Sequence, residues 1–235
     1  MSPSLRSPLR NAFEIEVPLE VIAPPRNPDG SVLVALHGMG QSAESFAREV
    51  EALLPPGTTG IVPQAPYPYE MRGKSGIRQG NAWYVYTGEN ESFLASMRTT
   101  ETWLLGVIAD EVARLSLHPA RVALLGFSQG GYLAGFVGVR NAARFRAVIV
   151  AGGRIKDEAL VDAAPGAASL PLLHVHGADD TSVLPEPARV SVERMVALGV
   201  PAEFRSYPAA HPVLREATCQ RDVCAYIAAH TAAAN

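Results

Sequence analysis

The segment Gly126–Gly130 has the pattern Gly-x-Ser-x-Gly, with Ser128 at its centre. In this pattern the serine lies on a sharp turn from a strand into a helix, and glycines flank it because side chains there would collide with neighbouring backbone. An apolar run over 121–127 precedes the serine, and helical periodicity follows it, so the context fits. Ser128 is therefore the candidate nucleophile for attack on a carbonyl group.

A histidine late in the chain is the candidate base for this serine. A serine hydroxyl is a weak nucleophile until a base removes its proton, and histidine has a pKa near neutrality. In sites of this kind the carboxylate and then the histidine follow the serine along the chain. Of the six histidines, only His211 and His230 come late enough. We favour His211, because His230 lies beside an alanine-rich tail where helices fray.

Two adjacent aspartates are candidates for the acid that orients the histidine. They follow the apolar run 170–175, and active-site residues of a parallel sheet gather at the carboxyl ends of its strands. We favour Asp180 as the acid. Asp179 is the alternative, and we expect it to stabilise the turn by accepting hydrogen bonds from backbone amides.

Attack on a carbonyl produces an oxyanion, which backbone amides can stabilise. One amide is expected from Gln129, the residue after the nucleophile. The second is expected from the glycine-rich exit of an early strand, His37–Gly40, with Met39 as the donor.

Two further groups of residues have a functional and a structural interpretation. His174 and His176 lie two residues apart on a predicted strand, so they share one face and resemble metal ligands when combined with Asp179 or Asp180. The segment 67–97 includes Trp83, Tyr84, Phe93 and Leu94, which are candidates for the wall of an acyl pocket. Simple packing is the alternative interpretation for both groups.

The pattern of apolar residues predicts strands that alternate with helices. A strand with one wet face is predicted at Phe13–Val17, and buried strands at 31–36, 61–62, 121–127, 147–151 and 170–175, with a last strand at 204–207. Helices are predicted at 43–54, 96–117, 128–139, 186–198 and 213–229. The region from Pro63 to about Ser92 is rich in Pro, Gly and Tyr and predicts a long surface loop. This alternation predicts one domain over 1–235 with a mostly parallel, doubly wound sheet.

Composition limits the function classes. The chain has 235 residues, of which 48% are hydrophobic, and a net charge of −3 without a basic run, so nucleic acid is not an expected partner. No 18-residue apolar stretch and no secretory signal pattern occur, which predicts a cytoplasmic protein that does not insert into a membrane. Cys219 and Cys224 are spaced too far apart on one helix for easy bridging and are expected to pack.

Several of these segments together resemble the carboxylesterase/phospholipase family that includes the acyl-protein thioesterases, over about residues 31–230. The segments that carry the resemblance are Leu36–Gly40, Pro63–Pro66, Ala82–Tyr84, Gly126–Gly131, His176–Asp180 and His211. The resemblance implies an α/β-hydrolase fold, no cofactor or metal, and a small ester or thioester substrate. It also implies that a homodimer is one expected form.

In that family the aspartate falls four positions after the histidine of a His-Gly pair, which selects Asp180. Two positions depart from the family pattern: Val85 and Gln41 stand where an aspartate is common. The three candidate catalytic residues are present, but the acyl preference of the family does not transfer to this chain.

Overall fold

The computed structural model describes residues 16–24, 27–73, 76–86 and 88–233. The strands in these ranges are β1 (Leu19–Ile22), β2 (Val32–Leu36), β3 (Thr59–Pro63), β4 (Tyr67–Gly73), β5 (Gly76–Ala82), β6 (Val122–Phe127), β7 (Ala147–Ala151), β8 (Leu172–Gly177) and β9 (Ala202–Tyr207). The α-helices are α1 (Ala43–Val50), α2 (Asn90–Arg114), α3 (Gln129–Arg140), α4 (Pro185–Ala197) and α5 (Ala217–Thr231).

Seven strands form the central sheet, in the order β1-β3-β2-β6-β7-β8-β9. β1 pairs antiparallel with β3, and every other pair in the sheet is parallel. The predicted mostly parallel sheet is therefore confirmed. The edge strand predicted at Phe13–Val17 lies mostly outside the described residues, and the described edge strand is β1.

Helices cover the sheet on both faces, so its central strands are apolar on both sides. In β2, Val32, Val34 and Leu36 face one apolar core, and Leu33 and Ala35 face the other. The first core is closed by apolar residues of α2, α3 and α4, and the second by those of α1 and α5. All five residues of β2 are fully buried, which explains the continuous apolar run in the sequence.

The long loop predicted between Pro63 and about Ser92 is the main error in the predicted elements. β4 and β5 form an antiparallel hairpin there, and α2 begins at Asn90. Tyr67, Tyr69 and Met71 are partly buried while their neighbours in β4 are exposed, which is the two-residue period of a strand. The prolines and glycines of the segment obscured that period.

The two cysteines are free thiols in α5. Cys219 is buried, and burial raises the pKa of its thiol to about 12, so it packs as a small apolar residue. Among the described helices, none combines the length and the hydropathy needed to cross a bilayer.

Candidate active site

Ser128 lies at the turn between β6 and α3 in a strained backbone conformation. Its φ of 53° and ψ of −116° lie outside the regions that L-residues favour, at a cost of roughly 1–3 kcal/mol. Its amide donates to the carbonyl of Ala151 at 2.8 Å, which ties the turn to the end of β7. The strained turn points the hydroxyl away from the strand and towards the edge of the sheet where the other candidate residues lie.

The glycines of the motif are required by close backbone contacts. A Cβ on Gly126 would lie 2.0 Å from the carbonyl oxygen of Gly130. A Cβ on Gly130 would lie 2.3 Å from the carbonyl oxygen of Leu36. Both distances are far below van der Waals contact, so only glycine allows α3 to start against β6 and β2.

The structure brings Ser128, His211 and Asp180 into one hydrogen-bonded chain. Nε2 of His211 lies 3.0 Å from Oγ of Ser128, and Nδ1 of His211 lies 2.7 Å from Oδ2 of Asp180. Since the carboxylate only accepts, the pattern of bonds assigns the proton to Nδ1 and leaves Nε2 free to accept the serine proton. The three residues follow the carboxyl ends of β6, β9 and β8, which meet at one edge of the sheet.

The carboxylate of Asp180 is buried and accepts several hydrogen bonds. Oδ1 accepts from the amides of Ser182 at 2.8 Å and Val183 at 3.0 Å, and Oδ2 faces His211. Burial alone would raise the pKa of Asp180, but these hydrogen bonds outweigh it and hold the pKa below its ordinary value. The carboxylate is therefore ionised at neutral pH.

Asp180 also takes over the role that we expected of Asp179. The bonds from Ser182 and Val183 close the turn after β8, and they go to Asp180. The side chain of Asp179 is exposed, and its own amide donates to the carbonyl of Ala209. One carboxylate thus shapes the turn and contacts the histidine.

His176 is a neighbour of this carboxylate that the sequence suggested only as a metal ligand and not as a hydrogen-bond partner. Its Nε2 lies 2.8 Å from the carbonyl of Val183 and 3.3 Å from Oδ2 of Asp180. A proton on Nε2 serves both acceptors. The available signal was its position four residues before Asp180 at the end of β8, but the contact depends on how the turn folds back.

The pair His174 and His176 is packed as aromatic residues. The two rings stack with centroids 5.3 Å apart, and both stack on Phe204. Burial lowers the pKa of His174 to about 3, so its ring is neutral. In the described part of the chain, no three His, Cys, Asp or Glu side chains converge as metal ligands would, which argues against the metal alternative.

Met39 has a backbone amide without a protein acceptor among the described residues, whereas its neighbours in the loop after β2 are paired. The amide of Gly38 donates to Oε1 of Gln41 at 2.8 Å, and the amide of Gly40 donates to the carbonyl of Asn81 at 2.8 Å. The amide of Gln41 donates back to Gly38. Gln41, at a family aspartate position, thus fixes the loop with its amide group.

The buried side chain of His37 fixes this loop through hydrogen bonds. Its Nδ1 lies 2.7 Å from the carbonyl of Gly38, and its Nε2 accepts from the amide of Ala65 at 3.0 Å. Burial lowers the pKa of His37 to about 4, which keeps the ring neutral and suits these bonds. The indole of Trp83 donates to the carbonyl of His37 at 2.6 Å. His37 is thus a structural residue that holds the loop in place.

Gln129 connects the start of α3 to the segment after β5. Its side-chain oxygen accepts from the amide of Trp83 at 2.9 Å, and its side-chain nitrogen donates to the carbonyl of Tyr84 at 3.2 Å. Its own backbone amide, in the first turn of α3, has no acceptor within the described structure. Within the described structure, the amides of Met39 and Gln129 thus both lack a protein acceptor.

Three of the residues predicted to line an acyl pocket, Trp83, Tyr84 and Phe93, are all buried, and they differ in whether they contact an exposed residue. Trp83 is fully buried in the core. Tyr84 and Phe93 are buried edge to face with centroids 5.0 Å apart, and Phe93 also packs at 5.4 Å against Tyr86, which is 70% exposed. These last three rings form an aromatic cluster that reaches solvent through Tyr86.

Comparison with known sequences finds similar proteins over most of the chain. The family model described as phospholipase/carboxylesterase matches residues 18–230. The mouse lysophospholipase-like protein 1 is 27% identical over 205 residues, which is 83% of this chain and 84% of the mouse protein.

Two solved structures share the fold. Esterase PE8 superimposes with a TM-score of 0.71 and 22% identity, covering 92% of this chain and 100% of the other. Acyl-protein thioesterase 2 of Zea mays superimposes with a TM-score of 0.71 and 21% identity, covering 92% and 99%. At these identities the likeness shows the α/β-hydrolase fold, which the sequence predicted.

Proposed function

Because this chain belongs to the phospholipase/carboxylesterase family, we propose that it is a serine hydrolase that cleaves carboxylic esters through an acyl-enzyme on Ser128. The observation that supports this proposal best is the hydrogen-bonded chain from Asp180 through His211 to Ser128, at 2.7 and 3.0 Å. Such a chain lets the imidazole take the serine proton while the carboxylate stabilises the resulting charge.

The first half of the reaction acylates Ser128. Nε2 of His211 accepts the proton from Oγ as this oxygen attacks the acyl carbonyl, and a tetrahedral oxyanion forms. The carbon–oxygen or carbon–sulfur bond to the leaving group then breaks, and His211 returns the proton to the leaving alcohol or thiol. Asp180, ionised at neutral pH, keeps the imidazole in the tautomer that this proton transfer needs.

The second half of the reaction releases the acid. Water enters, His211 takes one of its protons, and the oxygen attacks the acyl carbon of the ester on Ser128. The second tetrahedral intermediate collapses with the serine oxygen as leaving group, which recovers its proton from His211. Every proton that leaves an oxygen is returned through the same nitrogen, so neither step requires a cofactor.

The oxyanion is stabilised by the amides of Met39 and Gln129. Both amides lack acceptors within the described structure, and the other amides of the 38–41 loop are already paired. Fixed donors of this kind stabilise the transition state without reorganising, and removing one costs roughly 100- to 1,000-fold in turnover. Tyr84 and Phe93 pack together next to the place proposed for the acyl group. Trp83 acts indirectly, because its indole donates to the carbonyl of His37 and so helps to fix the loop that contains Met39.

Replacing Ser128 with alanine tests this proposal. The hydroxyl is the attacking group, so Ser128→Ala should lower hydrolysis of p-nitrophenyl butyrate by about 1,000-fold or more and abolish labelling by a fluorophosphonate. Unchanged circular dichroism would show that the variant is folded. Turnover equal to that of the parent protein would remove Ser128 from the mechanism.

A thioesterase or lysophospholipase that uses the same three residues is the second candidate. The similarity to the mouse lysophospholipase-like protein and to the maize thioesterase supports it. A series of esters and thioesters with increasing acyl length would separate these activities. A binding protein on a hydrolase scaffold is the candidate from another class, and folded protein that resists the fluorophosphonate would favour it.

A further inference from the structure

A polar groove of about 640 Å³ lies beside the loop that contains Met39. The groove is formed by this loop, α1, β5 and Arg215, and we call it the arginine groove. The residues that matter for its chemistry are Gly40, Ser42, Arg48, Glu49, Arg78 and Arg215. It thus contains three guanidinium groups and one carboxylate, in a chain whose net charge is −3.

Two of the three arginines are paired with carboxylates. Arg215 contacts Glu49 through two nitrogens, at 2.9 and 3.2 Å, and Glu49 also accepts from Gln41 at 3.2 Å. Arg48 pairs with Glu44 one turn away on the exposed surface of α1. The single carboxylate of the groove is therefore already neutralised.

Arg78 differs from the other two arginines. Its Nη1 donates to the carbonyl of Gly40 at 3.0 Å. Among the described residues, no carboxylate pairs with it, and the residue is exposed and lines the groove. A guanidinium carries five donors in a planar fork, so Arg78 has donors to spare for a bidentate contact with an oxyanion.

The groove lies close to the proposed reacting centre. Gly40, whose carbonyl Arg78 binds, directly follows Met39 in the chain. The aromatic cluster of Tyr84, Tyr86 and Phe93 lies instead beside Gln129 at the start of α3. The cation next to this cluster, Lys156, lies 5.2 Å from the Phe93 ring and is paired with Glu158, whereas Arg78 has no carboxylate partner among the described residues.

We propose that the arginine groove binds an oxyanion, a phosphate or a carboxylate, carried on the leaving-group side of the substrate. This inference rests on the proposed function and specifies its substrate class: esters or thioesters whose alcohol or thiol part is anionic. Arg78 is the principal ligand, and Arg215 adds to the positive potential. Because the groove is open to water, the contact is sensitive to salt.

A matched pair of substrates tests the proposal. Glycerol 1-monobutyrate and 1-butyryl-glycerol 3-phosphate share the same ester and differ only in the phosphate. The kcat/KM for the phosphate ester should be at least about tenfold higher than that for the neutral ester, because one charge-assisted hydrogen-bonded pair stabilises binding by about that factor. Raising the ionic strength should reduce this ratio.

Variants of two arginines on the same hairpin locate the effect. Arg78→Gln should lower the ratio of the two kcat/KM values about tenfold, and Arg78→Lys, which keeps the charge without the fork, should restore part of it. Arg72→Gln is the matched control, because Arg72 pairs with Glu70 and lies outside the groove. The ratio in Arg72→Gln should stay within about twofold of the parent value.

A ratio near one in the parent protein, or equal loss in Arg72→Gln and Arg78→Gln, would overturn the groove as a specific site. Glycerol monoglutarate, with its carboxylate on the acyl part, provides a further arm. If the protein prefers glycerol monoglutarate to the phosphate ester, the anion is recognised on the acyl part and not on the leaving group, which would also overturn the proposal.

Failure of the groove and failure of the proposed function give different results. Hydrolysis of the neutral ester that depends on Ser128 supports the function whatever the ratio is. If no ester is hydrolysed, titration calorimetry with inorganic phosphate still tests the groove. Binding that Arg78→Gln weakens about tenfold and Arg72→Gln preserves supports it, and absent or unchanged binding rejects it.

Discussion

Nε2 of His176 lies 3.3 Å from Oδ2 of Asp180, the same oxygen that faces Nδ1 of His211 at 2.7 Å. Two imidazoles therefore meet at one buried carboxylate oxygen. In the proposed reaction His211 becomes protonated, whereas His176 is a neighbour that limits how the carboxylate can rotate. The orientation of His211 thus depends on a side chain that does not touch the serine.

Replacing His176 with phenylalanine should lower kcat by about tenfold, because a hydrogen bond to an ionised group is lost while the stack on Phe204 is kept. His174→Phe is the matched control, since His174 joins the same stack but bonds to Gly153 instead of Asp180. Steady-state kinetics with p-nitrophenyl butyrate measures the difference. Equal kcat values for the two variants would show that His176 acts only through packing.

Asparagine at each of the adjacent aspartates should give opposite results. Asp180→Asn should lower kcat by roughly 10,000-fold, because an amide favours the wrong tautomer of His211 and does not stabilise its charge. Asp179→Asn should keep kcat within about twofold, because this side chain is exposed and bonds to neither histidine. Comparable losses in both variants would mean that the acid has been misassigned.

Two glycines near the serine should respond differently to alanine. Gly126→Ala should lower Tm and abolish esterase activity, since the new Cβ would lie 2.0 Å from a carbonyl oxygen. Gly135→Ala, inside α3, meets nothing closer than 3.4 Å and should stabilise the protein by roughly 0.5–1 kcal/mol through reduced chain entropy. Thermal melts and activity assays test both, and a harmless Gly126→Ala would contradict the close approach.

Folding stability should fall as the pH drops below about 6.5. The folded protein holds His37 with a pKa of about 4 and His174 with a pKa of about 3, so the unfolded chain binds more protons between these values and 6.5. Each histidine should lower the free energy of unfolding by about 2 kcal/mol between pH 7 and pH 5. Asp180, with its lowered pKa, adds a further loss only in more acidic solution.

Urea denaturation at pH 7, 6 and 5 measures this dependence. Burial also lowers the pKa of His176, which acts in the same direction. His174→Phe removes one of these three histidines, so its stability should change less over the same range even if the variant is less stable overall. Parallel pH profiles for the parent protein and His174→Phe would show that His174 is protonated as readily in the folded state as in the unfolded chain.

The sequence predicted the residues that lie at strand ends. Ser128 and Asp180 each follow an apolar run and His211 follows the last strand, and the carboxyl ends of parallel strands meet at one edge, so their convergence follows from topology. Met39 and Gln129 also follow strands, β2 and β6, and their role as oxyanion donors stays a prediction. The resemblance selected Asp180 over Asp179, although the turn bonds were assigned to the wrong member of the pair.

Contacts that depend on the path of a loop were not predictable in the same way. Arg78 reaches the carbonyl of Gly40 across 38 residues of sequence because β4 and β5 form a hairpin, and the hairpin itself was obscured by prolines and glycines. His176 reaches Asp180 only because the turn after β8 folds back. Neither contact has a periodic signal in the sequence.

The hairpin β4–β5 is secured at its base and open at its tip. Near the base, the carbonyl of Asn81 accepts a hydrogen bond from the amide of Gly40. β5 ends one residue later, and the buried Trp83 follows it. At the tip, a Cβ on Gly73 would touch nothing, and Gly76 has the same open space but a φ of +107° that favours glycine. The side chain at position 73 can therefore change over evolutionary time, or by design, without disturbing the turn at Ser128, so the hairpin can acquire new charge while the proposed chemistry stays the same.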